Sequence, residues 1–178
     1  QIYNGAVDNA TGVAGVIELA NSFKNIALDR SLLFLAVTAE ESGLLGSQYF
    51  AEYPPVDLSN IVAGYNFDGI LPTGRTRDVV VGGYGASELE NILEEELNEL
   101  DMYITPDPAP EKGFFYRSDH ISFAKKGVPM LYADGGVNMY DGGIEAGSKI
   151  SNDYTQYHYH QPSDEYKDSW DLSGFKEH

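Results

Sequence analysis

Residues 32–47 read LLFLAVTAEESGLLGS, and the fold turns on how this stretch is read. Residues 32–37 form a nearly unbroken apolar run, short and rich in strand formers, which predicts a strand buried on both faces. The run stops at two adjacent carboxylates, Glu40 and Glu41, and Ser42 and Gly43 break the chain before a second amphipathic stretch begins at Leu44. In an open α/β sheet, ligands and catalysis sit just outside the carboxyl ends of the strands. Two neighbouring acids there can divide the work, one turned to a metal and the other to a reacting water. A solvated helix start accounts for the same pair equally well, because acids favour the first helical turn. Residues elsewhere in the chain decide between the two.

Composition sets the bounds. The 178 residues predict one domain, 1–178, long enough to bury a sizeable core. A hydrophobic content of 42% and an aromatic content of 12% fit a globular chain rather than a disordered one. Thirteen Tyr against one Trp point to many half-buried rings with a polar tip. The formal charge of -17 argues against nucleic acid and against anionic membrane as partners, and fits acidic clefts that gather cations. Without cysteine there are no disulfides, thiolate metal sites or Cys nucleophiles. No apolar stretch is long enough to span a bilayer, and none reads as a signal peptide. The opening QIYNGAVDN reads as mid-domain.

Outward from the central stretch, residues 10–23 carry Val13, Val16, Ile17, Ala20 and Phe23 at helical spacing, with Asn9 or Asp8 where an N-cap belongs. Residues 43–53 predict a second helix, stopped by Pro54 and Pro55. Residues 61–67 read as a strand ending at Asp68 and Gly69, so an acid again follows a buried strand. A further strand is expected over 78–83 and an acidic helix over 87–100, with Leu89, Ile92, Leu93, Leu97 and Leu100 apolar. Residues 106–110 mark a loop, a capped helix starts at Ser118 or Asp119 and ends at Gly127, and 128–133 form a strand. Residues 134–157 lack periodicity and predict a long loop over one edge. A last helix is expected to begin at Trp170. This order predicts an α/β sandwich around a largely parallel sheet.

The candidate chemistry is Asp8, Glu40, Glu41, Asp68 and a histidine, His158 or His160. Carboxylates plus imidazole, without thiolate, suit zinc, manganese or cobalt in a hydrolytic site, with one Glu left unligated to take a proton from water. No GxSxG elbow supports a serine nucleophile, the SDH at 118–120 reads as helix capping, and GGYG at 82–85 reads as a turn.

The segments GAVDNATGVAGVIELA, LLFLAVTAEESGLLGSQYFA, NIVAGYNFDG, RSDHISFAKKGVP and YHQPSDE, in this order, resemble the zinc exopeptidase family of bacterial leucyl-type aminopeptidases and glutamate carboxypeptidase. The resemblance covers nearly the whole chain. It implies a three-layer α/β sandwich with a mixed, largely parallel sheet and two zinc ions. Asp8 would bridge the ions, Glu41 and His160 would bind one and Asp68 the other, and Glu40 would be the general base. It also implies a cis peptide bond after Asp8 and a supporting role for Asp119. The family has a His-x-Asp segment upstream of the bridging Asp, earlier strands and a longer last helix. The expectation is therefore part of a catalytic domain, truncated at both ends, with poor activity or none as it stands, one zinc or none, and a sheet edge open to self-association.

Three functions follow from the resemblance. Removal of N-terminal residues from a peptide leads; a glutaminyl-cyclase-like, single-zinc acyl transfer and a non-catalytic, transferrin-receptor-like module are the alternatives. Arg75, Arg77 or Arg117 could hold a substrate carboxylate, which keeps a carboxypeptidase open. The resemblance further implies a secreted or periplasmic protein.

Overall fold

The computed structural model describes residues 2–176. Its sheet has four strands, β1 (Gly64–Asn66), β2 (Asp78–Val81), β3 (Tyr103–Pro106) and β4 (Met130–Gly135), in the order β1-β4-β2-β3. β1 runs parallel to β4 and β2 parallel to β3, while β2 and β4 are antiparallel, so the sheet is mixed and largely parallel as expected. The helices are α1 (Ala10–Phe23), α2 (Leu45–Glu52), α3 (Leu89–Glu99), α4 (His120–Ala124) and α5 (Gly143–Tyr157).

Side chains alternate across the strands and divide the sheet into two unlike faces. Val79, Val81, Leu131 and Ala133 point one way and form the core with Leu97 and Met102. α3 covers this face through Leu89, Leu93 and Leu97, one stripe at helical spacing, while Ile92 and Leu100 stay exposed. Val80, Gly82, Tyr132 and Asp134 point the other way and line a cavity of about 410 Å³. On that side the buried His120 of α4 stacks on Tyr132 at 4.6 Å between ring centres. α2 joins α4 through the buried Ser47–Ser122 hydroxyl pair at 2.9 Å and the Phe50–Phe123 contact. Helices on both faces of a sheet make the three-layer α/β sandwich.

Three expectations are corrected. Residues 32–37 form no strand, and Leu32, Leu33 and Phe34 are exposed at 49, 59 and 41%. A strand needs a neighbour for its N–H and C=O groups; among the described residues β1, at the sheet edge, ladders with β4 and not with this run. Residues 143–157, expected as loop, form the 15-residue α5. Its sequence hides the helix because its closest packing is made by a glycine: a Cβ on Gly147 would collide with the Val137 carbonyl. No helix begins at Trp170; a 3-10 turn over Gly174–Lys176 follows instead. β3 lies partly in what reads as loop, its Pro106 at the end of an edge strand where a missing N–H is tolerated.

Candidate metal centre

Three separate loops deliver the acids and the imidazole to one place. The first precedes α1. Asn9 caps α1, its Oδ1 accepting the Gly12 N–H at 3.1 Å. The same Oδ1 accepts the Gly69 N–H at 3.1 Å, and Asn9 Nδ2 donates to the Phe67 carbonyl at 3.1 Å. Asn9 thereby clamps the Asp8 segment to the loop that carries Asp68. The Asp8–Asn9 peptide bond is cis.

The second loop is a 3-10 turn over Glu40–Ser42. Ala39 (φ 57°) before it and Leu44 (φ 61°) after it are left-handed, and Gly43 (φ 98°) supplies the bend. The turn closes as the Gly43 and Leu44 N–H groups donate to the Glu40 carbonyl at 2.9 and 2.8 Å. Both carboxylates therefore leave the chain at a tight corner rather than from a regular helix.

The third loop follows α5. His160 is also left-handed (φ 55°), and Tyr159 stacks on its ring at 3.8 Å. Among the described residues four non-glycine residues have positive φ, and three of them, Ala39, Leu44 and His160, flank this site. Such strain collects where surrounding structure holds a functional side chain in place. His158 instead meets the Ser163 hydroxyl through Nδ1 at 3.0 Å.

His160 Nε2 lies 2.9 Å from Glu41 Oε1 and 3.3 Å from Asp8 Oδ2. One donor atom from each of Asp8, Glu41 and His160 falls within 4.8 Å of the others. Two carboxylate oxygens and an imidazole nitrogen this close together fit a divalent ion such as zinc, and three protein donors is the count of a catalytic zinc site. Asp68 stands beside this set rather than in it. Its Oδ2 accepts the Ser118 hydroxyl at 2.5 Å, and Ser118 Oγ in turn accepts Asn66 Nδ2 at 2.7 Å.

The electrostatics are those of crowded, partly buried acids. Burial pushes Asp8 up to about 6, Asp68 and Glu41 add to the rise, and His160 opposes it. Burial likewise pushes Glu40 up to about 7, reinforced by Asp68, Glu41, Asp119 and Asp8. Asp68 is raised by burial against the lowering hydrogen bond from Ser118. A divalent cation among these groups would offset their mutual repulsion.

Sequence reasoning missed two supports. Ser118 does not cap α4; it holds Asp68. Asp119 makes no side-chain cap either. Asp164, 3% exposed, accepts the main-chain N–H groups of Val7 and Asp8 and the Tyr154 hydroxyl. Its only trace in sequence is an acid four residues after His160.

A family model described as peptidase family M28 matches residues 1–177. Leucine aminopeptidase 2 of Trichophyton equinum is 27% identical over 135 residues, which is 70% of this chain and 26% of that protein. Aminopeptidase YwaD of Bacillus subtilis (strain 168) is 34% identical over 65 residues, 36% of this chain and 14% of its own length. Among solved structures, the Legionella pneumophila LapA aminopeptidase gives a TM-score of 0.65 at 20% identity, covering 96% of this chain and 42% of that one. BSAP, a zinc aminopeptidase from Bacillus subtilis, gives 0.58 at 18% identity, covering 97% and 37%. At these identities the structural likeness shows the fold. The chain spans about a quarter of the length of the Trichophyton relative it matches.

Proposed function

The chain belongs to peptidase family M28, and from that premise we propose that it carries the centre of a zinc aminopeptidase, which removes the N-terminal residue of a peptide. The observation that carries the reading is the convergence of Asp8, Glu41 and His160, with Glu40 one residue from a ligand and raised towards neutral pH.

In this reading Asp8, Glu41 and His160 would hold one zinc ion, and Asp68 would serve a second ion. Zinc bound there would polarise the scissile carbonyl and make a water more acidic. Glu40 takes a proton from the attacking water and returns it to the departing amine, a role suited to a carboxylate whose affinity for protons lies near the working pH. Ser118 fixes the Asp68 carboxylate, and Asp164 fixes the main chain of Asp8, so neither acid has to be ordered when the ligand arrives. The same reading places the protein outside the cytoplasm, with a peptide as its partner.

The test is hydrolysis of aminoacyl anilides by protein loaded with zinc, after chelation, and after zinc is restored. Turnover that disappears with chelator and returns with zinc supports the proposal. Turnover indifferent to chelator overturns it. The convergent donors suffice for a single ion, so cyclisation of an N-terminal Gln substrate is measured beside hydrolysis. Cyclisation without hydrolysis assigns the site to single-zinc acyl transfer instead.

A further inference from the structure

The cavity beside the acids has a wall made by α5. Ser148, Ser151, Asn152 and Thr155 all line it, at i, i+3, i+4 and i+7, so a whole helical stripe turned to the cavity is polar. The same space is lined by Asp134, on the cavity face of β4, whose carboxyl is hydrogen-bonded to the Tyr132 side chain while its Oδ1 is buried without a hydrogen-bond partner. Asp107 also lines the cavity, close enough for its charge to bear on Asp134. The two basic residues on the lining, Lys112 and Arg117, are both exposed.

Hydroxyls, an amide and two carboxyl groups supply acceptors around one space. A leucine side chain placed there would leave them desolvated and unpaired, which is the arrangement that discriminates most strongly against an apolar occupant. A guanidinium or ammonium group would satisfy them with several donors and one positive charge. We infer that this wall is the pocket for the side chain of the substrate's N-terminal residue and that it selects arginine or lysine over leucine. The inference rests on the peptidase reading above for what occupies the pocket. Burial and the Asp68 charge hold the Asp134 carboxyl well above the usual carboxylate range, and a cation entering the pocket favours its ionised form.

The experiment is calorimetric binding of free L-arginine and L-leucine to the zinc-loaded protein and to its Asp134→Asn and Asn152→Leu variants. The two amino acids share the same α-ammonium and α-carboxylate, so their difference isolates the side chain. Arginine should bind about tenfold tighter than leucine or better, and each substitution should cut that preference to within about threefold. Leucine binding as tightly as arginine overturns the inference, and so does an arginine preference untouched by both substitutions. Asn152 is exposed on α5, so its variant keeps the test decisive if Asp134→Asn does not fold. Arginine-selective binding by a protein that hydrolyses neither arginyl nor leucyl anilide would sustain this pocket while overturning the peptidase reading.

Discussion

Asp164 Oδ2 accepts the main-chain N–H of Asp8 at 3.1 Å, across 156 residues of chain. The carboxylate also accepts the Val7 N–H at 3.0 and 3.2 Å. One buried acid thus binds the loop of Asp8 to the loop of His160, four residues away. Asp164→Asn keeps the shape but offers an NH₂ group where a main-chain donor now points. It should lower stability by about 2 kcal/mol, the scale of hydrogen bonds to a charged acceptor, and weaken zinc binding roughly 10–100-fold, as loss of ligand support does. Urea melts and zinc calorimetry check both. Unchanged zinc affinity would restrict Asp164 to folding.

Glu40 and Glu41 are adjacent but should fail differently. A proton acceptor works in the transition state, so Glu40→Gln should keep zinc and KM and lower kcat by roughly 10²–10⁴-fold. Glu41→Gln should weaken zinc binding, and added zinc should restore part of the activity. Zinc content and kcat over a zinc titration distinguish them. Zinc loss in the first variant and not the second would reverse the two roles.

The raised acids predict a pH dependence of the metal-free protein. Asp8 near 6 and Glu40 near 7 lie above their unfolded values, mainly through burial. Between about pH 4 and 7 the folded state therefore binds more protons than the unfolded chain, and stability falls as pH rises. The melting temperature in chelator should be higher at pH 5 than at pH 8, and Glu40→Gln should flatten that slope. Zinc competes with the same protons, so it should raise the melting temperature more at pH 8 than at pH 5. A metal-free protein that gains stability between pH 5 and 8 would count against the crowded-acid description.

Gly46 sets how closely α2 returns over the Glu40–Glu41 turn. Its N–H donates to the Thr38 carbonyl at 2.9 Å, and a Cβ there would overlap the Thr38 main-chain N and O. Main chain cannot rotate away as a side chain can. Gly46→Ala should destabilise by about 1–3 kcal/mol, the usual range for overpacking, and should weaken zinc binding through the displaced turn. Chemical denaturation and zinc titration test it; a neutral substitution would show that the turn yields freely.

Much of this was legible in the sequence, and the exceptions share a physical cause. α1 and α3 announce themselves by apolar stripes of helical period, and 78–81 by a run of valines between glycine turns. Acids placed just past apolar runs marked Glu40, Glu41 and Asp68 as candidates, although a helix start reads equally well for the Glu pair taken alone. Residues 32–37 misled because an apolar run reports what could be buried, not whether a neighbouring strand is there to pair with it. α5 was invisible because its cavity stripe is polar and its tightest contact is made by Gly147. Ser118 and Asp164 act through bonds to residues 50 and more positions away, which no local pattern encodes.

Asp8, Glu41 and His160 are proposed to form one ion site. This is tested most directly by zinc titration calorimetry on the protein with His160→Gln and His158→Gln compared side by side. His160 Nε2 faces both carboxylates, whereas His158 is turned to Ser163. His160→Gln should weaken zinc binding by about 100-fold, in the range seen when ligand support is removed, while His158→Gln should leave it within about twofold. Equal losses in both variants, or an undiminished affinity in His160→Gln, would contradict it.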